Sequence, residues 1–199
     1  MTDRIEDPQV RFYLERKELI DTWAKLAERE HRVADEFYTS LSETVESRLP
    51  EVDADAEVEV GTLGPESYIA LRRPHWAVPG QHAVAMVALA WWPKSVSFTR
   101  LPDYSICVGV RVRRAQPFEE HHARAVAALQ ATEQLGAFAS RGGMASNWLG
   151  WTYEPLTEPN WDDLSGYRQH LVNQLFAHWD SLAPRLDQAL EPLLPTRPS

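Results

Sequence analysis

The sequence predicts an α+β fold: an antiparallel sheet of about four to five strands, covered by a long N-terminal helix, a middle helix and a C-terminal helix. Three observations predict it. Apolar residues between Pro8 and Leu49 return at three- and four-residue steps. Strand-like runs then follow one another through short turns between residues 56 and 114, which favours antiparallel pairing. A second helical stripe occupies the last third of the chain. All of this fits one domain over residues 1–199: helix 8–49, sheet 56–114, helix 117–139, then a strand and the C-terminal helix within 147–194.

Each element has its own justification. Asp7 is a good N-cap, and Pro8 is tolerated at the first helical position because its missing N–H has no partner there. The stripe then runs through Trp23, Leu26, Ala27, Val33, Ala34, Phe37, Leu41, Val45 and Leu49, with charges such as Glu15, Lys25 and Arg29 on the other face. One long helix or two shorter ones satisfy this pattern, and Pro50 is expected to end it. From Glu51 to Val60, acidic residues alternate with small apolar ones, as in a loop leading into a half-wet strand. Gly64-Pro65 marks a turn, and Ser67–Arg73 a second strand. His82–Trp92 is apolar on both faces and is expected at the centre of the sheet, while Phe98 suggests a short edge strand. Tyr104–Arg113 alternates most clearly: Ile106, Val108, Val110 and Val112 face one way, and Cys107, Gly109, Arg111 and Arg113 the other. Gln116-Pro117 opens an alanine-rich helix, and Trp148–Tyr153 reads as a further strand. Asp162 and Asp163 cap a last helix with Leu164, Leu171, Leu175 and Leu182 on one face, and Pro184 is expected to kink or restart it.

Composition narrows the class. The chain has 199 residues, a net charge of −9 and a single cysteine, Cys107, so it forms no internal disulfide and suits a reducing, cytoplasmic setting. The N-terminus is charged, and the longest nearly uncharged apolar run, Ala83–Trp92, is half of what a bilayer span needs, about 20 residues. The charge is uneven: residues 1–63 carry −9, residues 64–116 carry +5 and residues 117–199 carry −5. An acidic chain disfavours non-specific binding to nucleic acid, whereas the basic middle leaves an anionic partner open.

Motifs for chemistry are sparse. Glu28/His31 and Glu119/His122 have the Glu-x-x-His spacing of di-metal helices, but a helical bundle to use it is missing from the pattern. Asp53, Asp55, Glu57 and Glu59 share a strand face and would suit a hard cation, although an acidic edge that resists aggregation explains them as well. Cys107 lies among valines and reads as structural. Neither a metal nor a cofactor nor a catalytic residue is expected.

The central feature is a basic, tryptophan-rich segment. Arg72, Arg73, His75, Trp76, Trp91, Trp92, Lys94, Arg100, Arg111, Arg113 and Arg114 all belong to strands or their ends. Arginine beside exposed tryptophan suits an interface hot spot, and also a stacking surface for single-stranded nucleic acid. Alternatively, the positive face pairs internally with the acidic helices. The binding residues expected from this reading are Arg72, Arg73, Trp76, Trp91, Trp92, Arg111 and Arg113.

Residues Arg11 to Ala24 resemble the opening of a group of uncharacterised bacterial proteins that begin with a Tyr-Leu-x-x-Arg-x-x-Ile-x-x-Trp-Ala helix. The spaced aromatics of Arg72–Trp76, the strand through Gly109 and Trp148–Tyr153 are loosely similar to the accessory C-terminal region of PD-(D/E)XK-like defence proteins. Neither resemblance carries a catalytic residue, and the strand ending Arg111-Val112-Arg113 lacks the nuclease Glu-x-Lys. The expected function is a non-enzymatic interaction or regulatory module that binds a protein partner through the basic tryptophan-rich sheet face, or self-associates through the long amphipathic helix. The alternatives are a nucleic-acid-associated relative of such nucleases in phage defence, and a small enzyme whose His and Asp residues meet only in the fold. The last would need several of His75, His82, His121, His122, His170 and His178 to converge with carboxylates.

Overall fold

A computed structural model describes residues 7–77, 85–94, 96, 106–112, 148–153 and 162–190. Helix α1 spans Pro8–Thr39, and the Asp7 side chain caps it by accepting from the Gln9 and Val10 backbone N–H groups at 2.8 and 3.3 Å. The chain breaks step at Ser40, and α2 follows over Leu41–Val52. The stripe expected over 8–49 is therefore two helices. The second runs through Pro50 rather than ending there, because proline's fixed φ is itself helical and only one hydrogen bond is forfeited this near the end. The Asp53 N–H closes the last turn onto the Leu49 carbonyl at 2.8 Å.

Five strands form one sheet in sequence order, and every neighbouring pair is antiparallel: β1 Glu57–Leu63, β2 Glu66–Arg72, β3 Ala85–Trp91, β4 Ile106–Val112 and β5 Trp148–Tyr153. Gly64-Pro65 makes the two-residue turn between β1 and β2. Gly64 has φ +63°, and proline then fixes a negative φ, the sign order of a type II′ hairpin. β3 occupies the centre and is buried along its whole length, as its unbroken apolar run predicts. β4 packs against β5 so closely that a Cβ on Gly109 would lie 2.1 Å from the Gly150 carbonyl oxygen, so only glycine fits.

The alternation in β4 sorts its side chains as the sequence suggests. Ile106, Val108 and Val110 join Ile69, Leu71, Val87, Leu89 and Trp91 in the core that the helices cover. Cys107 joins Tyr68, Ala70, Met86, Ala88, Ala90, Trp148 and Trp151 in a second cluster. The expected helix at 117–139, the edge strand near Phe98 and the tail from Pro192 lie outside the described residues.

After β5 comes α3, Ser165–Leu190, where the Asp163 carboxylate accepts from the Ser165 N–H at 2.8 Å. Its apolar face, including Leu171, Leu175, Trp179, Leu182 and Leu186, lies in the core. It continues across Pro184 without restarting. The α1–α2 corner is fastened to it: the Tyr38 and Tyr167 hydroxyls are 2.9 Å apart, and Arg168 donates to the Ser40 carbonyl and hydroxyl at 3.0 and 2.9 Å. Among the described residues, no helix is long and apolar enough to cross a membrane.

Candidate functional site

The residues expected to form a binding face fall into three internal settings. The first lies where β2 ends. Arg72 reaches back along β1 to Glu57 at 2.7 Å and Glu59 at 3.1 Å. Arg73 points the other way, donating to Asp53 at the end of α2 at 2.8 Å and to Asp187 on α3. The next three residues, Pro74–Trp76, make a single 3₁₀ turn that turns His75 and Trp76 toward the same carboxylate. His75 Nε2 and Trp76 Nε1 lie 2.8 and 2.7 Å from Asp187 Oδ1. Trp179 Nε1 donates to Asp53 at 3.2 Å, and its ring lies 5.3 Å from that of Trp76. Two carboxylates thus hold an arginine, a histidine and two indoles at the junction of α2, β2 and α3. Burial pushes the Asp53 carboxyl up, but the Arg73 hydrogen bond and charge, the Asp55 backbone N–H and the Trp179 indole outweigh it and hold it below the ordinary aspartate value.

The second setting is the face of the sheet opposite the helices. Arg111 is fully buried and donates to Glu66 at 2.6 Å, and Trp148 Nε1 donates to the same oxygen at 3.2 Å. The guanidinium lies over the rings of Tyr68 and Trp148, 5.1 and 4.8 Å from their centroids. The side chain thereby replaces lost hydration with one carboxylate and two aromatic faces. Cys107 shares this face with Arg111, but burial and the Glu66 charge push its thiol up against the opposing pull of Arg111, so it stays protonated and inert. Trp92 packs partly buried against the same cluster.

The third setting ties the sheet to α1. Trp91 is buried, donates its indole N–H to Asp35 at 2.7 Å and lies 5.8 Å from the Tyr38 ring. Nearby, His31 Nδ1 donates to the Val96 carbonyl at 2.7 Å. Among the described residues, no three His, Cys, Asp or Glu side chains come together in a way that could hold a metal ion.

Of the seven expected binding residues, Trp76, Trp91 and Arg111 are therefore interior, Arg72 and Arg73 are held by carboxylates, Trp92 is half-buried, and Arg113 lies outside the described residues. The described members do not form one solvent-facing patch. Arg72 and Arg73 meet Glu57, Glu59, Asp53 and Asp187 of the acidic flanks, the internal pairing those flanks allowed for, whereas Arg111 meets Glu66 within the basic segment itself. The described histidines do not converge either: His75 meets Asp187, whereas His178 is held by the Gln174 carbonyl of its own helix at 2.8 Å and lies 3.4 Å from Thr152 Oγ1. His82, His121 and His122 lie outside the described residues. Asp187 was not singled out in the sequence. Its signal is local, an acid between the buried Leu186 and Leu190 on the edge of an apolar helical face.

Among the described residues, most exposed large apolar side chains lie elsewhere, on α1. Phe12, Leu19, Trp23, Leu26 and Val33 recur at three-, four- and seven-residue steps, and all are exposed; Phe12 and Trp23 keep 61% and 60% of their surface in water. Residues 8–29 contribute no buried side chain, so about six turns of helix extend beyond the packing of the described residues. On the flank of the stripe, Lys17 pairs with Asp21 at 2.6 Å and lies over the Tyr13 ring. Comparison of the chain with protein-family models, with curated proteins and with solved structures finds no match.

Proposed function

We propose that the chain is a non-enzymatic interaction module and that its docking element is α1, not the basic face of the sheet. The observation that carries this reading is the exposed stripe through Phe12, Leu19, Trp23, Leu26 and Val33 on a helix whose first 22 residues contribute no fully buried side chain. Scattered apolar residues need no explanation, but a contiguous stripe of them is a surface that a partner covers. The spacing suits recognition of a helix by a second apolar surface, through anchors at i, i+3, i+4 and i+7. A helix with so little tertiary support is also marginal alone, so docking would stabilise it. The sheet arginines support the same reading from the other side: Arg72, Arg73 and Arg111 already meet carboxylates within the domain and have little charge left for phosphates.

The test is association of the purified chain with its binding partners, compared with a Leu19→Glu, Leu26→Glu variant. Association should be lost in the variant while the thermal midpoint of the domain, measured on dissociated chains, is unchanged, because both side chains are exposed. Undiminished association would overturn the assignment of α1 as the docking element.

A further inference from the structure

We infer that the surface covering α1 is α1 of a second copy of the chain, lying antiparallel; this rests on α1 being the docking element. The charges on the stripe favour this occupant. At 100° per residue, Phe12, Arg16, Leu19, Ile20, Trp23, Leu26, Ala27 and Glu30 fall on one side of the helix, and Ala34 and Phe37 continue that side onto the domain. Arg16 and Glu30 are the charges inside the stripe and stand seven residues either side of Trp23, while Glu15 lies at its edge, at the azimuth of Val33. A second copy turned end for end about Trp23 brings each Arg16 opposite the other copy's Glu30. A parallel copy would set Arg16 against Arg16 and Glu30 against Glu30, which is destabilising. The wider charge pattern agrees: residues 8–17 carry +2 and residues 27–36 carry −2, so only the antiparallel arrangement joins opposite ends. Such self-complementarity is what a two-fold contact requires.

The surface available comes close to what a stable pair needs. Phe12 and Trp23 are about three-fifths exposed, so the four rings of a pair would withdraw on the order of 400–600 Å² from water. Leu19, Ile20 and Leu26 from both copies add roughly as much again, approaching the ~1,200 Å² lower limit of a stable interface. Ala34 and Phe37 are buried against the chain's own domain, which marks where the overlap stops.

The experiment is the mass of the intact chain in solution, measured by light scattering over a range of concentrations. The wild type should have the mass of two chains, and Leu19→Glu with Leu26→Glu should reduce it to one. Arg16→Glu should weaken the dimer by about tenfold, and adding Glu30→Arg in the same chain should restore it, because the swapped charges again meet across an antiparallel pair. No recovery in the doubly swapped chain would overturn the antiparallel arrangement. A monomeric wild type would overturn the second copy altogether. If that monomer still bound another protein through Leu19 and Leu26, α1 would stand as the docking element with a different occupant; if it bound nothing, both would fall.

Discussion

Of its 26 residues, α3 buries Tyr167, Leu171, Val172, Leu175, Phe176, Trp179 and five more, whereas the 32 residues of α1 bury only Ala34, Phe37 and Tyr38, all in its last two turns. Both helices carry an apolar face at helical spacing. The difference lies in the surroundings. α3 lies along the helix-covered face of the sheet, against the side chains of β3 and β4. Among the described residues, the first six turns of α1 have no such counter-surface. Amphipathicity thus states that a face is better covered, and the fold determines whether the chain covers it itself.

That contrast can be broken by paired substitutions. Trp179→Ala should cost roughly 3–5 kcal/mol in denaturant unfolding, since it empties a core position and removes an indole donor from Asp53. Trp23→Ala should stay within about 0.5 kcal/mol, measured on the dissociated chain. Similar losses at the two sites would mean that α1 is packed as α3 is. A smaller effect is expected where α3 holds the polar junction. Asp187→Ala strands the Arg73 and Trp76 donors and should cost on the order of 1–3 kcal/mol, toward the lower end because the carboxylate is partly exposed.

The acid response sharpens the comparison further. Asp53 is held below its ordinary value in the folded chain, so its contribution is present above the unfolded value of about 4 and is lost as pH falls through the folded one. The stability gap between wild type and Asp53→Asn should therefore be full near neutrality and shrink below about pH 4 in unfolding titrations. The smallest global effect should come from Asp7→Ala. It removes the α1 cap, so amide exchange in the first turns should speed up while the unfolding midpoint does not move.

Much of the frame was legible in the sequence because it depends on local rules. Asp7-Pro8, Gly64-Pro65 and Asp163 start helices or make a turn through their own backbone preferences. The period of two in Ile106–Val112 separates two faces in whatever sheet the strand joins. Pro50 reads as a stop and Pro184 as a kink or restart, yet both helices run on, because a proline near a helix end or inside a well-packed helix loses a single hydrogen bond that surrounding contacts offset. The polar junction was legible only in pieces. Arg73 and His75 stood out by composition, but their partners Asp53 and Asp187 lie 20 and 112–114 residues away, beyond any local pattern.

The sequence by itself determined the order of elements, the two-faced strands, the acidic flanks around a basic centre and the heptad-like stripe of α1. The tertiary structure decided which of those surfaces meet water. Arginine and tryptophan read the same in sequence whether they serve a partner or the chain's own core. The sheet carries Trp91 and Arg111 into a dry interior, where Asp35 and Glu66 satisfy them, and leaves Phe12 and Trp23 outside. The physical reason is that burial is a property of pairs of surfaces, and the second member of each pair is supplied by a distant part of the chain.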